Sequence, residues 1–236
     1  MLPKDKICIP IIAKNIEDAK KQLRLAVKKA GFVELRLDCL KKTSSEDLKS
    51  LFKLAKGKAR IIATNRSKKE GGHFNGTESE RIKLLEKCIF SKPDFIDLEL
   101  STEKHLLKKT MEKAKKRKVH VIVSHHDFKK TPSFKKLVSI AAEEFKDGAD
   151  IAKIACTCNS HDDANRLLKL LKLVSKKRKH MIAVGMGEHG RITRVYGPFF
   201  GSFLTFASLK KGKESASGQL TVEELKKEWK KIKTLS

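Results

Sequence analysis

Lys153 lies in the run Ala149-Asp150-Ile151-Ala152-Lys153-Ile154-Ala155, a stretch that reads as a buried strand. Most of the other lysines stand in polar, helical or loop surroundings, where a solvated charge costs nothing. An ammonium between Ala and Ile in a core strand is different. Desolvation disfavours its charged form and lowers its pKa. A neutral amine adds to carbonyls, so a strand lysine with apolar neighbours is a Schiff-base candidate.

Other polar residues fall where strands are expected to be apolar. Glu34 and Arg36 alternate with Val33, Leu35 and Leu37. A period of two puts both charges on one face. A solvated outer face fits them poorly if helices cover the outside of the sheet. Turned inward they would be paired and could grip hydroxyls. Arg66 ends the next apolar run and precedes Ser67-Lys68-Lys69-Glu70-Gly71-Gly72. Alone, Arg66 or Glu70 is ordinary surface charge; on a loop that follows a strand they can bind and orient. Ser124-His125-His126-Asp127 closes a later run. Adjacent strand residues point opposite ways, so at most one of the two histidines faces inward. A His beside an amine is a natural proton shuttle, and neighbouring strands lie about 4.8 Å apart. After a seventh run, Gly185 to Arg194 reads as a glycine-rich loop that cradles an anion, with an arginine able to clamp a carboxylate. Ser215-Ala216-Ser217-Gly218-Gln219 reads either as a plain connector or as a lid that excludes water.

The elements that must position these groups alternate along the chain. Strands are expected at Ile7–Ala13, Phe32–Asp38, Arg60–Asn65, Phe95–Leu100, Val119–Ser124, Ile151–Cys156 and Met181–Met186, with an eighth within Gly201–Leu209. Helical periodicity spans Ile16–Ala30, Ser45–Ala55, Thr77–Phe90, Lys104–Arg117, Ser133–Lys146, Asp162–Lys177 and Val222–Ile232. Ser44-Ser45-Glu46-Asp47 and Thr77-Glu78-Ser79-Glu80 are helix-start signatures. Strand-helix units in this number argue a parallel sheet, and eight close into an α/β (β/α)8 TIM barrel with function at the C-terminal strand ends. An open doubly wound sheet is the alternative, but no Gly-x-Gly-x-x-Gly follows the first strand. No linker or Pro/Gly-rich hinge divides the chain, so one domain is expected over residues 1–236.

The 236 residues carry a net charge of +26, which makes a self-repelling surface attractive to polyanions. The basic pairs, such as Lys129-Lys130, Lys135-Lys136 and Lys176-Lys177, are scattered and lack interleaved aromatics. That pattern favours solvated helix faces over a dedicated nucleic-acid surface; no specific nucleic-acid partner and no membrane partner is expected. Cysteines at 8, 39, 88, 156 and 158 are odd in number and mostly apolar in context, which suits reduced thiols used as small hydrophobes. Cys156-x-Cys158 with His161 is better explained by packing than by metal binding, because no second ligand pair stands out. The apolar patch Ile7 to Ala13 is too short for a signal peptide, and no run reaches the length of a membrane span. The expectation is the cytoplasm.

Taken in order and spacing, these pieces resemble the type I 3-dehydroquinate dehydratases over nearly the whole chain. The residues carrying the likeness are Glu34-Leu35-Arg36-Leu37-Asp38, Arg66 with Glu70-Gly71-Gly72, Ser124-His125-His126-Asp127-Phe128, Ala152-Lys153-Ile154-Ala155, Met186-Gly187 through Thr193-Arg194, and Ser215 to Gln219. The resemblance implies that Lys153 condenses with the ketone of 3-dehydroquinate and that His126, not His125, moves the proton. It makes Glu70 the residue that orients His126 and Arg194 the partner of the substrate carboxylate. Ser215 and Gln219 would close over the substrate, while Glu34, Arg36 and Arg66 hold its hydroxyls and ketone. It further implies 3-dehydroshikimate as product, no metal, no organic cofactor, and a homodimer. Ser217 stands where the family's lid often has proline, which leaves the unbound loop freer. The strong positive charge is also unlike a typical member. No dehydrogenase domain is expected after Ser236. A class I aldolase is the nearest rival, but Arg194 and the Ser-Ala-Ser-Gly-Gln segment suit a carboxylate and hydroxyls better than a phosphate. A basic nucleic-acid-binding protein is the rival from another class.

Overall fold

The side-chain pattern of each strand decides both its partners and the level at which the site sits. The computed structural model describes residues 4–41 and 43–234. Its strands are β1 (Ile7–Ile11), β2 (Phe32–Arg36), β3 (Arg60–Thr64), β4 (Phe95–Glu99), β5 (His120–Asp127), β6 (Ile151–Thr157), β7 (His180–Met186) and β8 (Thr205–Phe206). They form one parallel sheet in the order β7-β6-β5-β4-β3-β2-β1-β8. Between β7 and β8 the ring closes through a bridge of Met181 with Ser202 and a 2.8 Å bond from the Phe203 N–H to the Met181 carbonyl. This is the (β/α)8 barrel expected from the alternation. A two-residue β8 explains why that strand carries so weak a sequence signal.

The helices are α1 (Ile16–Lys29), α2 (Ser45–Ala55), α3 (Glu78–Phe90), α4 (Lys104–Lys116), α5 (Phe134–Lys146), α6 (His161–Lys176), α7 (Arg191–Tyr196) and α8 (Val222–Thr234). Ser44 and Thr77 cap α2 and α3 in reciprocal boxes with Asp47 and Glu80, as their spacing predicts. Outward strand residues such as Val33, Ile61 and Ala152 pack under the helices. None of these helices is long and apolar enough to cross a membrane. Cys156 and Cys158 are buried free thiols, and no group of three or more His, Cys, Asp or Glu among the described residues is arranged to hold a metal.

Inside the ring, Phe32, Ile62, Phe95, Ile122, Ile151 and Ile182 make an apolar plug at the strand starts. Two residues further on, the same inward face carries Glu34, Thr64, Asp97, Ser124 and Lys153. Period-two alternation therefore seats a layer of polar groups directly on a dry floor. Two expectations change. β5 runs through His125, His126 and Asp127 instead of stopping at Ser124, so the histidines belong to the strand. The segment after β7 is a loop only as far as Gly190: Arg191–Tyr196 is helical, and Arg194 rides on that helix. The run Ile192-Thr193-Arg194-Val195-Tyr196 is too short for its periodicity to be recognised against the flanking glycines.

Candidate active site

The C-terminal ends of the strands surround a cavity lined by Glu34, Arg66, His126, Lys153, Arg194 and Ser215, among others, with about 600 Å³ of empty space counting its open mouth. Lys153 projects from β6 into its floor and is buried. Its Nζ donates to Asp97 Oδ2 at 2.8 Å and stands 3.6 Å from Glu34 Oε1. The sequence reading of an amine left among apolar side chains is corrected here. The apolar neighbours exist, with the Phe206 ring centroid 4.9 Å away, but strands β2 and β4 bring two carboxylates to the same amine. The amine is thus buried and ion-paired together.

Asp97 is the hub of the layer. Ser124 Oγ donates to its Oδ1 at 2.7 Å, and Arg66 Nη2 approaches the same oxygen at 2.8 Å. Burial alone would raise the Asp97 pKa, but Arg66 and Lys153 outweigh it and hold the carboxyl well below its usual range. Arg66 also donates to Ser124 Oγ at 2.8 Å and to Glu99 Oε1 at 3.3 Å. Asp38 accepts both Arg36 donors, at 2.9 and 2.7 Å, and the backbone N–H groups of Arg66 and His73 at 3.2 and 3.0 Å. It thereby ties Arg36 to the loop that carries Glu70. Glu34 accepts from Thr64 Oγ1 at 2.9 Å.

On the rim, Glu70 Oε2 and His126 Nδ1 share a 2.8 Å hydrogen bond, and Ser101 Oγ donates to Glu70 Oε1 at 2.6 Å. Burial, reinforced by the charge of Glu99, pushes Glu70 up to about 7, against the pull of Arg66. Burial, with Arg66 and Lys153, drives His126 well below its ordinary value, so its imidazole is neutral at pH 7. An ionised Glu70 then accepts the Nδ1 proton and leaves Nε2 as a base. A protonated Glu70 would donate to Nδ1 and force the opposite tautomer. His125 points the other way and feels Asp127, Lys136 and Glu143 outside the ring. Gly71 has φ +77°, and a Cβ there would stand 2.3 Å from the Phe128 ring. Glycine is needed for the Glu70 loop to pass beneath Phe128, which stacks on His126 at 6.3 Å.

Arg194 is buried on α7, and its Nε and Nη2 have no hydrogen-bond partner. Burial lowers its pKa to about 10, which still leaves a cation at neutral pH. A buried guanidinium with unpaired donors facing a cavity is a receptor for a carboxylate. Ser215 and Ala216 line the mouth. Gln219 instead braces the segment from behind: its Oε1 accepts from the Ser215 N–H at 2.7 Å and from Ser215 Oγ at 3.2 Å. The Gly187 N–H donates to the Ser217 carbonyl at 3.1 Å, which docks the segment on the end of β7. Gly218, at φ +76°, permits this, since a Cβ there would lie 2.2 Å from the Gly187 carbonyl oxygen.

The nine residues singled out from sequence all belong to this one assembly, eight lining the cavity and Gln219 supporting Ser215. Sequence reasoning passed over Asp97, Glu99, Ser101 and Asp38. The signal for the first two was present: Asp97 and Glu99 alternate with Ile96 and Leu98 on β4 as Glu34 and Arg36 alternate with Val33 and Leu35 on β2. Asp38 continues the alternation of Glu34 and Arg36, whereas Ser101 carries no comparable mark, because its role comes from a contact with a residue 31 positions away.

The family model for type I 3-dehydroquinase matches residues 7–236. A protein from Methanocaldococcus jannaschii called 3-dehydroquinate dehydratase is 41% identical over 225 residues, which cover 94% of this chain and 97% of that one. The crystal structure of a type I 3-dehydroquinate dehydratase from Clostridium difficile, covalently modified with comenic acid, superposes with a TM-score of 0.90 at 30% identity, covering 98% of this chain and 94% of the other. The 3-dehydroquinate dehydratase of Geobacillus kaustophilus also gives 0.90, at 27% identity over 98% of this chain and 92% of that one.

Carboxyl carbon NMR of Glu70 is expected to titrate near pH 7, with the His126 proton moving between Nδ1 and Nε2 over the same interval. Glu99→Gln removes a like charge and should lower that midpoint; an unchanged midpoint would refute the Coulombic coupling between the two carboxyls.

Proposed function

This chain belongs to the type I 3-dehydroquinase family, and on that premise we propose that Lys153 is its Schiff-base lysine and His126 its proton-transfer residue. The activity is that of a 3-dehydroquinate dehydratase, a hydro-lyase of the shikimate pathway that eliminates water from 3-dehydroquinate through a Schiff base to give 3-dehydroshikimate. One observation carries the residue assignment: a buried amine and a Glu-bound imidazole, on adjacent strands β6 and β5, line the same cavity.

In this reading the ammonium first gives up a proton, with Asp97 and Glu34 the carboxylates beside it. Nζ then adds to the C3 carbonyl carbon. The C3 oxygen departs as water and leaves an iminium, whose positive charge lies where the same two carboxylates stabilise it. The iminium acidifies the C2 proton. Nε2 of His126 takes that proton, and the C–H electron pair becomes the enamine C2–C3 bond. The enamine pair then returns to form C1–C2 as the C1 hydroxyl leaves, protonated by the imidazolium. Water hydrolyses the iminium and frees Lys153. One water is released on condensation and one consumed in hydrolysis, so the net loss is the C1 hydroxyl with the C2 proton.

Glu70 orients His126, and its ionisation near pH 7 places the active tautomer on the alkaline side. Arg194 pairs with the substrate carboxylate. Glu34, Arg36 and Arg66 receive the hydroxyls and ketone, and Ser215, held by Gln219, closes the mouth. Residues 1–236 act as one catalytic domain on this small-molecule substrate. Five unpaired thiols support a reducing cytoplasmic setting, which cell fractionation tests. The chain works as a homodimer, for which the exposed patch of Ile192, Tyr196, Phe199 and Phe200 offers an apolar face.

Borohydride with 3-dehydroquinate is expected to trap a covalent adduct on Lys153, mapped by peptide mass; label on another lysine overturns the assignment. His126→Ala should cut kcat by about 100-fold or more, the usual range for a lost general acid-base group, while adduct formation persists. An active His126→Ala beside an inactive His125→Ala would reverse the choice. Sedimentation at micromolar protein should give the mass of two chains, and Tyr196→Lys with Phe199→Lys should give one; a wild-type monomer defeats the dimer reading.

A further inference from the structure

The lysines that are scattered along the chain are not scattered in space. In a (β/α)8 barrel every turn from a helix into the next strand opens on the same end, opposite the active site. Here those turns carry the exposed cations Lys58 and Arg60 before and at the start of β3, Lys92 before β4, Lys118 before β5, and Arg178 and Lys179 before β7. The strands they enter belong to a run of five neighbours in the sheet. At about 4.8 Å between strands, that arc is at least roughly 20 Å long.

Helix C-termini favour cations by their dipoles, which accounts for basic residues in the last turns. It does not account for these six. Lys92, Lys118 and Arg178 have φ of 55°, 58° and 55°. Glycine or asparagine suits such positions, and a long side chain there is strained. Three helix ends, those of α3, α4 and α6, thus hold a cation on a strained, rigid turn, while the end of α5 has Gly148 there.

None of the six takes part in an ion pair among the described residues, though Arg60 rests on the Phe32 ring at 4.0 Å and Lys179 on the Phe145 ring at 4.4 Å, whereas three nearby acids are occupied. Asp94 Oδ2 accepts from the Ile61 N–H at 2.8 Å, Asp150 Oδ2 from the Val121 N–H at 2.7 Å, and Asp147 pairs with Lys104 at 2.5 Å. Between the turns lies a groove of about 940 Å³ with Lys53, Lys56, Lys58, Arg60 and Lys92 on its walls.

We propose that this N-terminal face of the barrel binds the phosphate backbone of a double-stranded nucleic acid without reading its sequence. Duplex DNA presents one charge per ~1.7 Å of axis, so a 20 Å arc meets several phosphates at once. The chemistry of the face selects this occupant. Phe90, exposed at this end, lies under the Arg117 guanidinium at 4.7 Å, and Phe199 and Phe200, in the turn before β8, belong to the apolar patch assigned to the dimer. Outside that patch the described part of the face presents cations and no row of rings to stack unpaired bases. The active-site mouth is at the other end, so a bound duplex leaves turnover open.

Fluorescence anisotropy with a labelled DNA duplex of about 20 base pairs, in roughly 50–200 mM salt, tests this. Affinity should fall with salt by about 0.9 in log–log slope per phosphate engaged. Lys92→Gly, Lys118→Gly and Arg178→Gly together remove three charges at positions whose backbone suits glycine. They should weaken binding about tenfold or more at ~100 mM salt and lessen the slope by about 2–3, with turnover of 3-dehydroquinate unchanged. Lys21→Gln, Lys169→Gln and Lys172→Gln remove the same charge from outer helix faces and should leave binding nearly intact. If the glycine triple fails to fold, Lys58→Gln with Lys179→Gln should weaken binding in the same direction and lessen the slope by about 1–2. Three results overturn the proposal: no duplex binding at ~50 mM salt, equal loss in the control triple, or tighter binding to phosphatidylserine vesicles or polyglutamate than to duplex.

Discussion

Everything at the top of this barrel follows from the need to keep one buried ammonium paired. Removing a charge from water costs several kcal/mol unless a partner and hydrogen bonds replace the solvent. Lys153 finds Asp97 at 2.8 Å, Asp97 finds Arg66 and Ser124, and Arg66 finds Glu99. Each charge is affordable only because the next is present. A change at any one of them therefore leaves a buried ion without its partner, which is more damaging than losing the pair outright. The same arrangement favours an iminium, which keeps the cation where the carboxylates already stand.

The polar layer needs the apolar layer below it. Phe32, Phe95 and the four isoleucines at the strand starts fill the ring and keep water from reaching the amine from beneath. Substrate can enter only from the mouth, where Phe128, Ser215 and Ala216 stand. Burial then acts differently on neighbouring acids. Asp97, between two cations, stays ionised; Glu70, nearer Glu99 and farther from full compensation, rises to about 7. Two carboxyls within 4 Å of the same arginine, at 2.8 and 3.9 Å from Arg66, thus acquire a fixed-charge role and a titrating role.

The two ends of the barrel have opposite electrostatic economies. At the C-terminal end the charges around Lys153 are partnered, while Arg194 keeps buried donors without a partner. At the N-terminal end Asp94 and Asp150 are tied to backbone N–H groups and cations such as Lys58, Lys92 and Lys118 are exposed. A barrel can keep both surfaces because its apolar plug separates them.

Much of this was legible along the chain. Lys153 in an apolar run, the period-two placement of Glu34 and Arg36, the capping boxes of α2 and α3, and seven of the eight strands are local patterns, set by side-chain alternation and hydrogen bonding within a few residues. What stayed hidden depends on closure of the ring. That Asp97 faces Lys153 across 56 positions, that Asp38 fastens the Glu70 loop, that Arg194 belongs to a helix, and that remote lysines gather on one face are consequences of strand register and barrel curvature. Sequence determined which side chains would be inward and which elements would carry them. Only the tertiary structure decided which inward charges would meet, because the distance between them is set by neighbouring strands and not by the covalent path that joins them.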